Sequence, residues 1–208
     1  LLRHATKAKI DILYNGIDLR YFTNNNDIKP IPFSIIFTGN MSYFPNADGI
    51  FYFVKEIFPL IKQDLPDVKL YIVGKNPPLK IRRLAQYNIS ITGFVPDIKD
   101  YYLRSWVAIA PIRFGAGTLN KILEPIALGV PVVATSIGVE GLLLKDGTDL
   151  LVADSANDFA NAVINILKDD ELHRRLSDNA KDIVRSLYDS RMIATQLESY
   201  YKEVIANL

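Results

Sequence analysis

Between residues 34 and 152, short β-rich apolar runs alternate with longer segments of helical period, and that alternation is the signature of a parallel sheet built from βαβ units. The runs are SIIFTG (34–39), VKLYIVG (68–74), ISITG (89–93), WVAIAPI (106–112), VPVVAT (130–135) and DLLVAD (149–154). Several are apolar on both faces, which predicts an α/β, Rossmann-like parallel sheet with helices on both sides. The clearest helical segment is NADGIFYFVKEIFPLI, where Ile50, Phe53, Val54, Ile57, Leu60 and Ile61 share one face. Gly39, Gly74 and Gly93 each follow a strand directly. At the carboxyl edge of a parallel sheet, that is where ligand-binding loops collect.

After residue 154 the strands stop and three helical segments follow. Ser155 with Asp158 three residues on has the spacing of a helix N-cap, and Phe159, Val163, Ile166 and Leu167 form the stripe behind it. A second stripe holds Leu172, Leu176, Ala180, Ile183 and Val184, and a third Ile193, Leu197, Tyr200, Tyr201 and Val204. All three are predicted to pack on the sheet. At the other end, KIDILYNGIDLRYF reads as a short strand closing in an Asn-Gly turn, and NNNDIKPIP as a polar, proline-bearing linker.

Composition narrows the function. The 208 residues carry 24 basic and 23 acidic side chains, so no net field draws the molecule to nucleic acid or to a membrane surface, and any anion site must be local. Cysteine is absent, which excludes disulfides and thiolate metal sites and is easiest to reconcile with a cytoplasmic setting. No apolar run approaches the roughly 20 residues of a spanning helix. The opening LLRHATKAKI has neither an initiator Met nor a signal-peptide layout, and reads as the interior of a longer protein.

The stretch PIRFGAGTLNKILEP places two glycines and a lysine at a strand-to-helix junction. It is not a P-loop, because Asn120 precedes Lys121 where glycine is needed and Ile122 stands where a magnesium-binding hydroxyl is needed. It is not the dinucleotide fingerprint either, since Asn120 replaces the third glycine and the motif follows a late strand. Two readings remain open from spacing alone. Small residues let a ligand approach the backbone, and N–H groups near Thr118, Leu119, Asn120 and Lys121 can receive an oxyanion. Alternatively Gly115 and Gly117 make an ordinary turn and Lys121 is solvated. Pro125 predicts a kink unless the helix starts close by.

The run FGAGTLNKILEPIALGVPVVATSIGVEGLLLKDGTDLLVAD resembles the donor-binding half of glycosyltransferases with the GT-B fold, in particular the large retaining family commonly called family 4. The matching parts are an acidic residue in a helix (Glu124), then GVPVVAT, GVEGLLL and DGTDLLVAD. YNGIDLRYF, FTGNMSYFPNADG and ITGFVPDIKDYYLRSWVAIAPI agree in the same order. The resemblance implies the C-terminal half of a double-Rossmann enzyme: residues 1–30 as the end of an N-terminal acceptor-binding domain and linker, 31–190 as the nucleotide-sugar domain, and 191–208 as a C-terminal helix packing on the other domain. It implies a nucleobase against Gly93 to Asp97, read by main-chain groups around Val95, and a ribose held by Glu124. The diphosphate would lie between Gly39, Asn40 and the segment Gly115 to Lys121.

Two departures matter. Relatives carry a first glutamate eight positions before the second, where this chain has Ala116, and an Arg with a later Lys in the loop after Gly39, which here reads NMSYFPN. Arg113 and Lys121 are the expected replacements for that charge and the expected catalytic groups. No Asp-x-Asp triplet in a metal-ligand context occurs, so neither a metal nor a cofactor is expected, the nucleotide sugar being a substrate. The resemblance further implies synthesis of polysaccharide or surface glycan at the inner face of a membrane, with any membrane contact made through the other domain. A sugar-nucleotide epimerase of the same plan and a non-catalytic flavodoxin-like domain are the rivals. His4 and His173 are expected to be solvated, and Phe51, Tyr52, Phe53, Phe58, Tyr101, Tyr102 and Trp106 to pack in the core.

Overall fold

The computed structural model describes residues 12–23, 28–115 and 120–206. Expectations that fall on residues 1–11, His4 among them, and on Ala116, Gly117, Thr118 and Leu119 lie outside the described residues. The chain forms β1 (Ser34–Thr38), α1 (Phe44–Tyr52), α2 (Phe58–Asp64), β2 (Lys69–Val73), α3 (Leu79–Arg82), β3 (Ile89–Gly93), α4 (Lys99–Leu103) and β4 (Val107–Ala110). It continues with α5 (Asn120–Ala127), β5 (Val132–Ala134), α6 (Ser136–Val139), β6 (Leu151–Val152), α7 (Ala156–Lys168), α8 (Asp170–Leu187) and α9 (Ser190–Ala206). The six strands are parallel in the order β3-β2-β1-β4-β5-β6. Because the chain runs outward from β1 to β3 and then returns to β4, the connections diverge between β1 and β4, and the crevice outside their carboxyl ends is where such sheets bind ligands.

Burial explains the parallel arrangement. Every residue of β1, β4 and β5 is buried, so these strands are covered on both faces. Each fully buried aliphatic or aromatic side chain contributes about 1.5–3 kcal/mol of transfer free energy, and Ile35, Phe37, Ile72, Val107 and Val133 form the middle of this layer. Phe53 meets Phe159 edge-on at 5.9 Å, joining the first helical layer to α7.

The amphipathic segment expected over 46–61 runs from Phe44 to Asp64 but widens into a π-helical turn at Phe53–Ile57. Proline explains the widening. Pro59 lacks the N–H that would close the next α-helical turn, and just before it the Phe58 N–H reaches back five residues to the Phe53 carbonyl. α5 continues through Pro125 to Ala127. It stops in a Schellman arrangement at Gly129 (φ +78°), with Val130 N–H on the Pro125 carbonyl and Gly129 N–H on the Ile126 carbonyl, each at 2.9 Å.

Other expectations need correction. KIDILYNGIDLRYF forms no strand among its described residues; Ile17 makes a single bridge to Asp189, its N–H on the Tyr188 carbonyl at 2.8 Å. DLLVAD shrinks to the two-residue edge strand β6, paired only with β5. Ser155 does cap α7, accepting the Asp158 N–H at 3.1 Å, and α7 buries its stripe; of the second stripe α8 buries Leu176, Ala180 and Val184, while Leu172 and Ile183 are half-buried. The third stripe does not pack on the sheet: no residue of α9 is buried. His173 is not solvated but half-buried, its ring 4.6 Å from that of Trp106 and its Nε2 3.1 Å from the Trp106 carbonyl. Burial holds its pKa below the ordinary histidine value.

The tightest backbone approach joins the ends of β1 and β2. Gly74 (φ +151°) has no room for a side chain, because a Cβ there would overlap the carbonyl oxygen of Gly39. A Cβ at Gly147 (φ +72°) would meet nothing. Gly74→Ala should therefore cost about 3 kcal/mol in urea unfolding, from overpacking added to the positive φ. Gly147→Ala should cost about 1 kcal/mol, from the positive φ alone. Equal costs would contradict the close approach.

Candidate functional site

The crevice predicted by the strand order is built from the loop after β1 and the start of α5. Asn40 sets the loop: its side-chain oxygen accepts the Ser42 N–H at 3.1 Å, and its carbonyl accepts the Asn46 Nδ2 at 2.9 Å. That second bond fixes which way the Asn46 amide faces, since a nitrogen donating to Asn40 leaves the oxygen on the other side. The Asn46 oxygen accepts Lys121 Nζ from α5. The same amine lies 4.7 Å from the centre of the Phe37 ring and 3.2 Å from where a side chain on Gly39 would begin. Gly39 is small because Asn46 and Lys121 occupy the space beside it.

Burial costs the Lys121 ammonium its hydration and lowers its pKa to about 7, against which only the charge of Glu124 pulls upward. Glu124, one turn on along α5, shows the opposite shift. Burial raises its pKa, while the Tyr102 hydroxyl and the Lys121 charge hold it down. Glu124 Oε2 accepts from the Tyr102 hydroxyl at 3.0 Å, and that hydroxyl lies 2.6 Å from Thr38 Oγ1 at the end of β1. Tyr102, Thr38 and Asn46 are participants that sequence reading missed. Tyr102 stood in a segment whose pattern matched, but an aromatic beside a strand reads as packing, and no spacing rule marks Asn46.

The other expected residues divide. Arg113 is turned to α1, where Nε and Nη2 hold both oxygens of Asp48 at 2.9 and 2.8 Å, and its guanidinium lies 4.4 Å from the Tyr52 ring centre. Its fork is therefore engaged, whereas the Lys121 amine stands at the strand end. Asp97 accepts the Lys99 N–H at 2.9 Å and the Tyr21 hydroxyl at 2.7 Å, and so fastens the start of α4 to the segment before the sheet. Both bonds hold Asp97 below the usual carboxylate range, and the Tyr21 phenol is pushed up to about 12. Val95 is half-buried against the core. The Gly93 carbonyl accepts the Gly74 N–H at 3.0 Å. Gly93 also lines a cleft of about 540 Å³ with Phe94, Lys75, Asn76 and Arg82, between the loops after β2 and β3. Gly115 is exposed and faces Tyr43 across the crevice, and Asn120 is exposed at the start of the described part of α5. Among the described residues no group of three His, Asp or Glu side chains could hold a metal ion, and no helix is long and apolar enough to cross a membrane.

A crevice at the divergence of β1 and β4, with one cation and one carboxylate on the helix after β4, defines a ligand-binding Rossmann-like domain. The profile described as glycosyl transferases group 1 matches residues 32–169, and the chain belongs to that family. It is 27% identical over 188 residues to a putative glycosyltransferase of Bacillus subtilis, covering 82% of this chain and 45% of that protein. To the putative teichuronic acid biosynthesis glycosyltransferase TuaC, also of Bacillus subtilis, it is 27% identical, over 93% of this chain and 50% of that one. In fold it matches sucrose-phosphate synthase of Thermosynechococcus elongatus with a TM-score of 0.80 at 22% identity, over 100% of this chain and 56% of that one. The fold is thus that of the C-terminal Rossmann-like domain of GT-B glycosyltransferases. The chain spans about half the length of the curated relatives it matches.

The Lys121 shift has a measurable consequence for stability. With a folded pKa near 7 and an ordinary value near 10.5, the unfolded chain binds the extra proton between those limits. Stability from this group therefore rises with pH across that window and is lost as pH falls toward 7. Lys121→Met should raise the melting temperature most near pH 6, and the gain should shrink toward pH 10. A gain that is flat across this range would mean the amine titrates normally.

Proposed function

We propose that this domain binds the donor of a hexosyltransferase that takes a sugar, with retention, from a nucleoside-diphosphate sugar and passes it to a glycan or lipid-linked acceptor. The observation that carries the reading is the pair on α5. Lys121 brings a single amine to the loop after β1, and Glu124 brings a carboxylate one turn later, both at the point where the strand connections diverge. An amine suits a diphosphate, and a carboxylate accepts the two hydroxyls of a ribose. The 540 Å³ cleft between the loops after β2 and β3 is the place for the base.

In the reaction, the bond between the sugar's anomeric carbon and the diphosphate oxygen breaks, and its electron pair leaves with the diphosphate. The acceptor oxygen bonds to the same carbon, and its proton passes to the departing diphosphate oxygen. Charge therefore grows on the diphosphate, and a protonated Lys121 stabilises it where water is largely excluded. The amine takes the place of a divalent ion in this scheme, so transfer should persist in EDTA. The acceptor and its binding domain belong to the longer protein, and the likeness to a protein named for teichuronic acid biosynthesis supports a cell-surface polysaccharide as the product.

Calorimetric titration of the full-length protein with UDP, GDP and ADP sugars tests this. One of them should bind, and Lys121→Ala should weaken it about tenfold to a hundredfold, as expected for a lost charge-assisted hydrogen bond. Unchanged affinity in Lys121→Ala would overturn the role of the amine. Release of an epimerised sugar without an acceptor would favour the epimerase instead.

A further inference from the structure

Tyr102 is completely buried, yet it carries a hydroxyl that a phenylalanine of the same shape would not. A buried hydroxyl must have partners, and here both come from elements that frame the crevice: Thr38 from the end of β1 and Glu124 from α5. The direction of the bonds follows from chemistry. An ionised carboxylate only accepts, so the phenol proton goes to Glu124 Oε2, and the phenol oxygen is left to accept from Thr38 Oγ1. Burial and the Glu124 charge both push the phenol's pKa well up, which keeps that proton in place. The chain Thr38 to Tyr102 to Glu124 leaves one carboxylate oxygen spoken for, and among the described residues Oε1 takes no hydrogen bond.

A buried polar chain of this kind adds little net stability over apolar groups of the same shape, so its effect is to fix orientation. We propose that Tyr102 is a positioning residue for ribose recognition: by holding Oε2, it turns Oε1 of Glu124 toward the ribose hydroxyls of the nucleotide. The inference rests on the reading of Glu124 as the ribose ligand.

The hydroxyl also tunes the carboxylate. Among the described residues, the groups that act on Glu124 are Tyr102 from α4, which donates to it, and Lys121 on its own helix, while the more distant Tyr21 phenol feels its charge. Tyr102 and Lys121 lower its pKa against the effect of burial. Losing the Tyr102 hydroxyl therefore moves the acid limb of nucleotide binding to higher pH, which a purely structural role would not do.

The test uses the full-length protein and calorimetry with UDP, GDP and ADP, then the 2′-deoxy form of whichever binds. Tyr102→Phe should weaken the ribonucleotide about fivefold to tenfold, weaken the 2′-deoxynucleotide, which keeps only its 3′-hydroxyl for Glu124, by less, and shift the acid limb upward. In Glu124→Ala the ribose preference should vanish, and adding Tyr102→Phe to it should have little further effect. Thr38→Val, which removes only the donor to the phenol, should move the same ratio in the same direction by less. This variant decides the matter if Tyr102→Phe fails to fold. If Glu124→Ala abolishes the ribose preference while Tyr102→Phe and Thr38→Val keep it, the inference fails and the donor reading stands. If Glu124→Ala keeps both affinity and preference, the donor reading itself fails.

Discussion

The carbonyl of Gly39 occupies the place where a side chain on residue 74 would stand, and the crevice depends on that contact. With it, the ends of β1 and β2 close against each other, and the Gly39 N–H reaches the Val73 carbonyl at 3.0 Å. The loop after β1 is thereby pressed against its β2 neighbour and can open only toward β4. The strand order turns that opening into a crevice, because the connections on the two sides of it run in opposite directions. The polar side chains of the candidate site stand around this gap: Asn40 and Asn46 on one wall, Lys121 and Glu124 on the other.

That wall holds two ionisable groups, and burial pushes each toward its own neutral form. Burial lowers the pKa of the lysine and raises that of the glutamate, and each is partly restored by the other's charge. Neighbouring groups perturbed in this way are more typical of sites that meet a ligand than of surface helices. Arg113 differs. Its guanidinium has found a full carboxylate partner in Asp48 of α1, so its charge is answered within the fold.

Much of the architecture was legible because it follows from periodicity. Buried parallel strands are apolar on both faces, and six of them could be read in order. What was misread had local causes. Two residues of pairing at the sheet edge sufficed where DLLVAD promised six, since β6 has a neighbour on only one side. The described part of the stretch read as a first strand makes none, and Ile17 instead bridges to Asp189 at the junction of α8 and α9. In the candidate site, Lys121 stood out in sequence by its place after two glycines, and Glu124 by the family resemblance. Tyr102, Thr38 and Asn46 did not, because their roles depend on hydrogen bonds across 64, 22 and 75 positions of sequence. His173 shows the same limit: a polar helix face in sequence became a half-buried ring once Trp106 lay beside it.

The five residues of α4 are too few to form a stable helix alone. They are held near one end by the Asp97 carboxylate on the Lys99 N–H, and near the other by the Tyr102 hydroxyl between β1 and α5. Asp97 in turn is gripped by Tyr21. A helix secured at both ends has lost its freedom to rotate about its own axis. Two phenols at some distance from each other, Tyr21 before the sheet and Tyr102 beneath Glu124, are thereby tied through one short helix.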